Sequence, residues 1–209
     1  MDGDGQITEN DRTVIGNTTP KFQGGFGLSG QWKNFDFTAN FNYMVDFDVY
    51  NATNYMLSSS ISNTNNFYNV LADFTQKNRW TYVRADGECL YKNTNIDGSV
   101  NEYITMNAGK SLWNPADVED KVTHSYFVED GSFLRLQDVT IGYTLPSNLT
   151  KKWGMSKVRF YASASNLFIL TGYSGYDPEV DVQSGLTPSM DYNRYPRSRS
   201  FVFGTNITF

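Results

Sequence analysis

One cysteine and one histidine stand in 209 residues. A single Cys89 excludes an internal disulfide and gives no zinc-ligand spacing. Without a special electrostatic setting it is an ordinary small, incidental or buried residue. His124 has no cysteine or carboxylate cluster around it in the chain, so it reads as solvated, neither metal ligand nor base. The aspartates are plentiful but sit in loops at no telling spacing. A hydrolase would need a positioned pair of carboxylates or a nucleophile with its base, so the chain does not read as an enzyme. The net charge of −5 and the pI near 4.8 come without a basic patch, which argues against nucleic acid as a partner. No apolar run approaches the roughly 18–20 residues of a membrane-crossing helix, and mean hydropathy is −0.48. That leaves a membrane β-barrel open, because strict alternation dilutes the average. No signal peptide opens the chain. Met1-Asp2-Gly3 starts in mid-pattern, as at a truncated boundary, so the missing leader says little about compartment.

What the chain does have is aromatic residues, 16% of the total, and alternation. From Phe35 to Val49 every odd position is apolar or aromatic: Phe35, Phe37, Ala39, Phe41, Tyr43, Val45, Phe47 and Val49. The even positions are polar except Met44. A period of two predicts a β-strand with one greasy and one wet face. Fifteen residues at about 3.3 Å each would span roughly 50 Å, far beyond an ordinary globular strand.

The same reading along the chain gives five strands, at about 22–32, 35–49, 132–145, 157–170 and 198–209. Glycines at 24, 25, 27 and 30 suggest a bend or bulge in the first. Lys33-Asn34 makes a tight hairpin, with Trp32 and Phe35 at its mouth. In the third, Phe133, Val139, Ile141, Tyr143 and Leu145 share a face. Leu134 and Leu136 break that phase, so a bulge near Gln137-Asp138 is expected. Arg197 and Arg199 are expected to pair with nearby carboxylates. Residues 50–131 and 171–197 lack sustained alternation and read as long connections. The first 20 residues form an Asp/Gly-rich loop. Within it, DGDGQITEND resembles the back half of an EF-hand calcium loop, with Asp2, Asp4, Gln6 and Asp11 as candidate ligands and the first ligand missing. The other reading of that stretch is a metal-free turn-rich loop.

Alternation alone does not separate a membrane barrel from a soluble sandwich, since both bury one face. The connections do. Those after Trp32 and Leu145 are short, and those after Val49 and Leu170 are long. Because direction alternates, short links gather at one end and long ones at the other, as in outer-membrane barrels. The chain stops on Phe209 inside a strand, with Phe201, Phe203 and Ile207 in phase, and this looks like a barrel-assembly signal. The expectation is therefore an all-β chain: antiparallel strands of a transmembrane β-barrel with residues 50–131 and 171–197 outside. Its alternative is a soluble, calcium-linked β-sandwich that binds carbohydrate.

Between Asp130 and Phe209 the segments DGSFLRLQDVTIGYTLPSNL, VRFYASASNLFILTGYSGYDPEV and YPRSRSFVFGTNITF resemble the C-terminal end of SusC/RagA-type TonB-dependent transporters. DGDGQIT and IGNTTPKFQGGFGLSGQWKNFDFTANFNY agree. The resemblance implies part of a 22-stranded barrel, plugged by an N-terminal domain, in the outer membrane of a Gram-negative bacterium of the Bacteroidota. It implies membrane lipid, TonB and a SusD-like surface lipoprotein as partners, and an oligosaccharide or peptide as cargo. The chain lacks a signal sequence, TonB box and plug, so it looks like a C-terminal fragment. External tyrosines Tyr173, Tyr176, Tyr192 and Tyr195 are candidates to stack on sugar rings or meet the lipoprotein.

Overall fold

The structure is a computed structural model that describes residues 10, 12–58, 69–74, 78–79, 81–84, 89–90, 103–106, 112–113, 115, 123, 125–180 and 188–209. The chain divides into two compact units, one of residues 1–50 with 128–209 and one of residues 51–127.

The first unit is built on a five-stranded antiparallel sheet. Its strands are β1 (Phe22–Trp32), β2 (Phe35–Val45), β8 (Phe133–Thr144), β9 (Lys157–Thr171) and β11 (Ser200–Thr208), paired in that order. The intervening labels belong to β3 (Asp48–Asn51), β7 (Val128–Asp130) and β10 (Met190–Asp191), which form a small sheet in the order β10-β3-β7. In the second unit, β4 (Thr81–Arg84), β5 (Cys89–Leu90) and β6 (Tyr103–Met106) pair in the order β5-β4-β6. That unit also holds helix α1 (Ala52–Leu57) and an aromatic cluster in which the Trp113 ring lies 5.1 Å from Phe74 and 5.7 Å from Phe127.

Register explains which side chains share a face. Phe22, Phe26, Leu28 and Trp32 on β1 stand opposite Val45, Phe41, Ala39 and Phe35 on β2. The Phe26 and Phe41 rings stack at 4.8 Å, an offset contact typical of cross-strand aromatic pairs. The glycines of β1 produce no bulge, and pairing with β2 is continuous from Phe22 to Trp32. Gly30 instead lies beneath the Phe37 ring, where a Cβ would come within 2.5 Å of a ring carbon. The turn at Lys33-Asn34 places Lys33 at φ 55, the positive φ that tight hairpins demand.

The bulge expected near Gln137 is present, with register shifting between Leu136 and Asp138. Its effect reaches further than a local kink. Below it, Phe35, Phe37 and Ala39 pair with Tyr143, Ile141 and Val139; above it, Phe41 and Tyr43 pair with Leu136 and Leu134. The extra residue resets the phase, so Leu134 and Leu136 join the apolar face. Phe133, assigned to that face by alternation, moves to the other side together with Arg135.

The second correction is the length of β2. Alternation runs to Val49, but the long strand ends at Val45. Asp46 takes φ 64, and its N–H donates to Ser132 Oγ at 2.9 Å. The chain kinks there and pairing resumes as β3 with β7, Asp48 opposite Asp130. Phe47 and Val49 keep their odd phase but turn inward, into a cluster with Phe133, Tyr173 and Val180. Asp46 and Asp48 accordingly lie at the kink and in the small sheet, off the polar face of the long strands.

Candidate functional site

The two faces of the five-stranded sheet are chemically opposite. One carries Phe22, Phe26, Leu28 and Trp32, then Phe35 and Phe37, then Ile141, then Phe160, then Phe201, Phe203 and Ile207, all exposed. Phe203 is 79% exposed and Phe22 66%. The strands of this face have 9 to 15 residues. A tilted strand needs about 9–11 to cross the hydrocarbon of a bilayer. A sandwich would bury this face under a second sheet, and these rings are bare. Soluble proteins rarely leave so continuous an apolar patch uncovered.

The other face is polar and internally hydrogen-bonded. Thr140 and Ser163 share a hydrogen bond of 2.7 Å, and Ser165 donates to Asp138 at 2.8 Å. Arg159 on β9 reaches across β8 to Asp36 on β2, its Nε donating to Oδ1 at 3.0 Å. Gly142 makes that crossing possible, because a Cβ there would sit 2.3 Å from Arg159 Nη2. Tyr161 lies alongside, with the Arg159 guanidinium carbon 5.3 Å from its ring centre.

The short connections, 33–34 and 145–156, lie at one end of the sheet, where the Thr144 N–H donates to Asn34 O at 2.8 Å. Residues 172–180 and 188–199 lie at the other end and are anchored by two buried polar contacts. Arg135, 3% exposed, donates from Nη2 to Asp177 at 2.6 Å, and its Nε lies 3.3 Å from Glu179. Arg197 binds the same Glu179 at 2.8 Å, so two cations and two carboxylates balance. Its expected pairing with a carboxylate is thus found. The Tyr173 hydroxyl donates to Asp191 at 2.7 Å. Burial first, and then the hydrogen bond to Asp191, push this phenol well above its ordinary value near 10. At the sheet margin the Lys21 ammonium donates to Asp46 at 2.5 Å, a hydrogen bond that raises its pKa.

The candidate tyrosines therefore separate. Tyr173 is 6% exposed, and its ring is part of the cluster with Phe47 and Phe133, so it is no free platform for a ligand. Tyr176, Tyr192 and Tyr195 are exposed, Tyr195 by 86%. Phe201, Phe203 and Ile207 lie on the bare apolar face, and Phe209 is exposed beyond β11. Asp2, Asp4, Gln6 and Asp11 lie outside the described residues, as does His124. Among the described residues no group of three or more His, Cys, Asp or Glu is placed to hold a metal. Sequence reasoning missed the anchor of Arg135, Asp177 and Glu179. Its only signal was a lone arginine between leucines in FLRLQ, an expensive residue to bury without partners.

No family model matches the sequence. Individual relatives do. TonB-dependent receptor P3 of Formosa agariphila is 33% identical over 215 residues, which takes in 100% of this chain and 18% of that receptor. TonB-dependent receptor SusC of Bacteroides thetaiotaomicron is 41% identical over 86 residues, 40% of this chain and 8% of SusC. Among solved structures, the RagAB peptide importer in its closed-closed state superposes with a TM-score of 0.68 at 23% identity. That match covers 98% of this chain and 19% of the importer chain, and shows likeness of fold. The chain spans about a fifth of the length of these relatives. By sequence the chain matches a stretch of TonB-dependent receptors, SusC among them, and its fold is an open run of antiparallel strands like those of the RagAB importer chain.

Proposed function

We propose that this chain serves as a stretch of lipid-facing wall in an outer-membrane barrel that imports oligosaccharides or peptides with energy delivered by TonB. The observation that carries the reading is the pair of faces on one sheet: bare rings on one side, a hydrogen-bonded polar lattice on the other. A barrel wall needs both, hydrocarbon outside and an aqueous or protein-filled interior within. In this reading the short connections face the periplasm and residues 172–199 face outward. Tyr176, Tyr192 and Tyr195 would be available there to sugar rings, peptides or a SusD-like lipoprotein. The alternating rings of β11 would be read during barrel assembly. Because the chain spans only part of its relatives, transport is assigned to the complete barrel and not to these strands alone.

The test is fractionation of the cell envelope followed by extraction. The expected result is recovery with outer membranes, release only by detergent, and a gel band that shifts on heating. Recovery as a buffer-soluble monomer with cooperative unfolding would overturn the reading and restore the sandwich. Binding of oligosaccharide and peptide mixtures to the detergent-solubilised protein, measured by calorimetry, distinguishes the two cargo classes.

A further inference from the structure

The end of the sheet that carries the short connections has a charge opposite to that of the chain as a whole. Lys33 occupies the β1–β2 turn, Lys151 and Lys152 the 3-10 turn Lys151–Trp153, and Lys157 the first position of β9. All four are exposed, and none forms an ion pair among the described residues. The whole link from Leu145 to Ser156 contains no aspartate or glutamate. The nearby Asp36 is engaged by Arg159. At the opposite end lie Asp46, Asp48, Glu129 and Asp130, with Asp177, Glu179 and Asp191. A net charge of −5 is therefore distributed so that one rim is basic.

Exposed indoles share that rim. Trp32 is 68% exposed and Trp153 61%, and the Lys33 ammonium lies 4.7 Å from the centre of the Trp32 ring. Trp32 and Phe35 close the apolar face directly beneath the turn. An apolar body with a polar tip suits the boundary between hydrocarbon and headgroups, and long lysine stems let their charge reach the phosphate layer. A headgroup layer of neutral lipid would satisfy the indoles but not the ammonium groups of Lys33, Lys151 and Lys152, nor fully that of Lys157, whose charge also acts on Asp36. We infer that this rim binds the headgroups of anionic phospholipid in the leaflet that meets the short connections, with Lys33, Lys151, Lys152 and Lys157 as phosphate contacts and Trp32 and Trp153 as depth markers. Juxtamembrane lysines near a surface of opposite charge act in this way and are screened by salt. The inference rests on the membrane reading above and adds to it a choice of lipid.

The experiment uses the protein as purified from membranes, transferred to nanodiscs of phosphatidylcholine and phosphatidylglycerol in equal amounts. Lipids retained after stripping are counted by native mass spectrometry. The expected result is phosphatidylglycerol retained about threefold or more over phosphatidylcholine at low salt, falling towards parity at high salt. The K33Q/K151Q/K152Q/K157Q variant should lose the preference. The corresponding four Lys→Arg substitutions, and Lys21→Gln at the far end, should keep it. Parity in the wild-type protein overturns the inference even if the glutamine variant fails to assemble, and so does a preference unchanged in that variant. A protein that does not enter nanodiscs at all refutes the membrane reading itself, which is a separate outcome.

Discussion

Replacing Arg135 by methionine keeps most of the side-chain volume and removes the charge that holds Asp177 and Glu179 to β8. Arg135 is 3% exposed and Asp177 8%, so the substitution strands a carboxylate where water hardly reaches. Breaking one partner out of a buried ion pair costs about 3–5 kcal/mol. The lower end applies here, because Glu179 keeps Arg197 at 2.8 Å and Asp177 keeps the Glu179 N–H at 3.0 Å. At 1.4 kcal/mol per tenfold, a loss of about 3 kcal/mol raises the population of the opened segment roughly a hundredfold. Chymotrypsin reads that population at Tyr173, which is 6% exposed and is cut only after the segment lifts. The cleavage rate at Tyr173 in membrane-embedded protein should therefore rise by about two orders of magnitude in Arg135→Met. Cleavage at Tyr192, already exposed, should barely change. An unchanged rate at Tyr173 would show that the segment is held by its apolar contacts alone, and the reasoning from buried charge would fail.

Three further outcomes follow from the same geometry. Phe203→Arg puts a charge on the bare face and should destabilise the membrane-embedded protein by about 2–4 kcal/mol if it sits near mid-bilayer. Val202→Arg, one residue away on the polar face, should cost far less in the same denaturant titration. Gly142→Ala must displace the Arg159 guanidinium and should cost about 1–3 kcal/mol, a penalty that a double-mutant cycle should find abolished in an Arg159→Ala background. The raised pKa of Tyr173 gives stability that is fully present below the ordinary phenol value near 10 and is lost as pH climbs above it. Proteolytic opening at that residue should accordingly accelerate in alkali, and Tyr173→Phe should remove the alkaline step.

The strands were readable because a period of two is a local property. Nothing beyond neighbouring side chains is needed to place Phe22, Phe26 and Trp32 on one side. What alternation could not carry was phase across an irregularity. One extra residue at Gln137 moved Phe133 and Arg135 to the polar side and brought Leu134 and Leu136 to the apolar one. The sequence shows that a break occurs, but not which half keeps the original face. The kink at Asp46 is harder still, since Phe47 and Val49 continue the pattern without a fault. Their inward turn follows the kink at Asp46, whose N–H donates to Ser132, 86 residues further along the chain. Tyr173 misled for the same reason: its position in a Tyr/Gly/Asp-rich connection suggests exposure, and the hydrogen bond to Asp191 that permits its burial is made only in the fold.

The measurement closest to the central claim is solvent accessibility along β11 in the membrane. Nitroxide labels placed one at a time at positions 201 to 207, in a Cys89→Ser background, report collisions with oxygen dissolved in lipid and with a water-soluble nickel complex. The account predicts oxygen maxima at 201, 203, 205 and 207 and nickel maxima at 202, 204 and 206, a period of two. Odd positions shielded from both reagents, as inside a second protein layer, would contradict it.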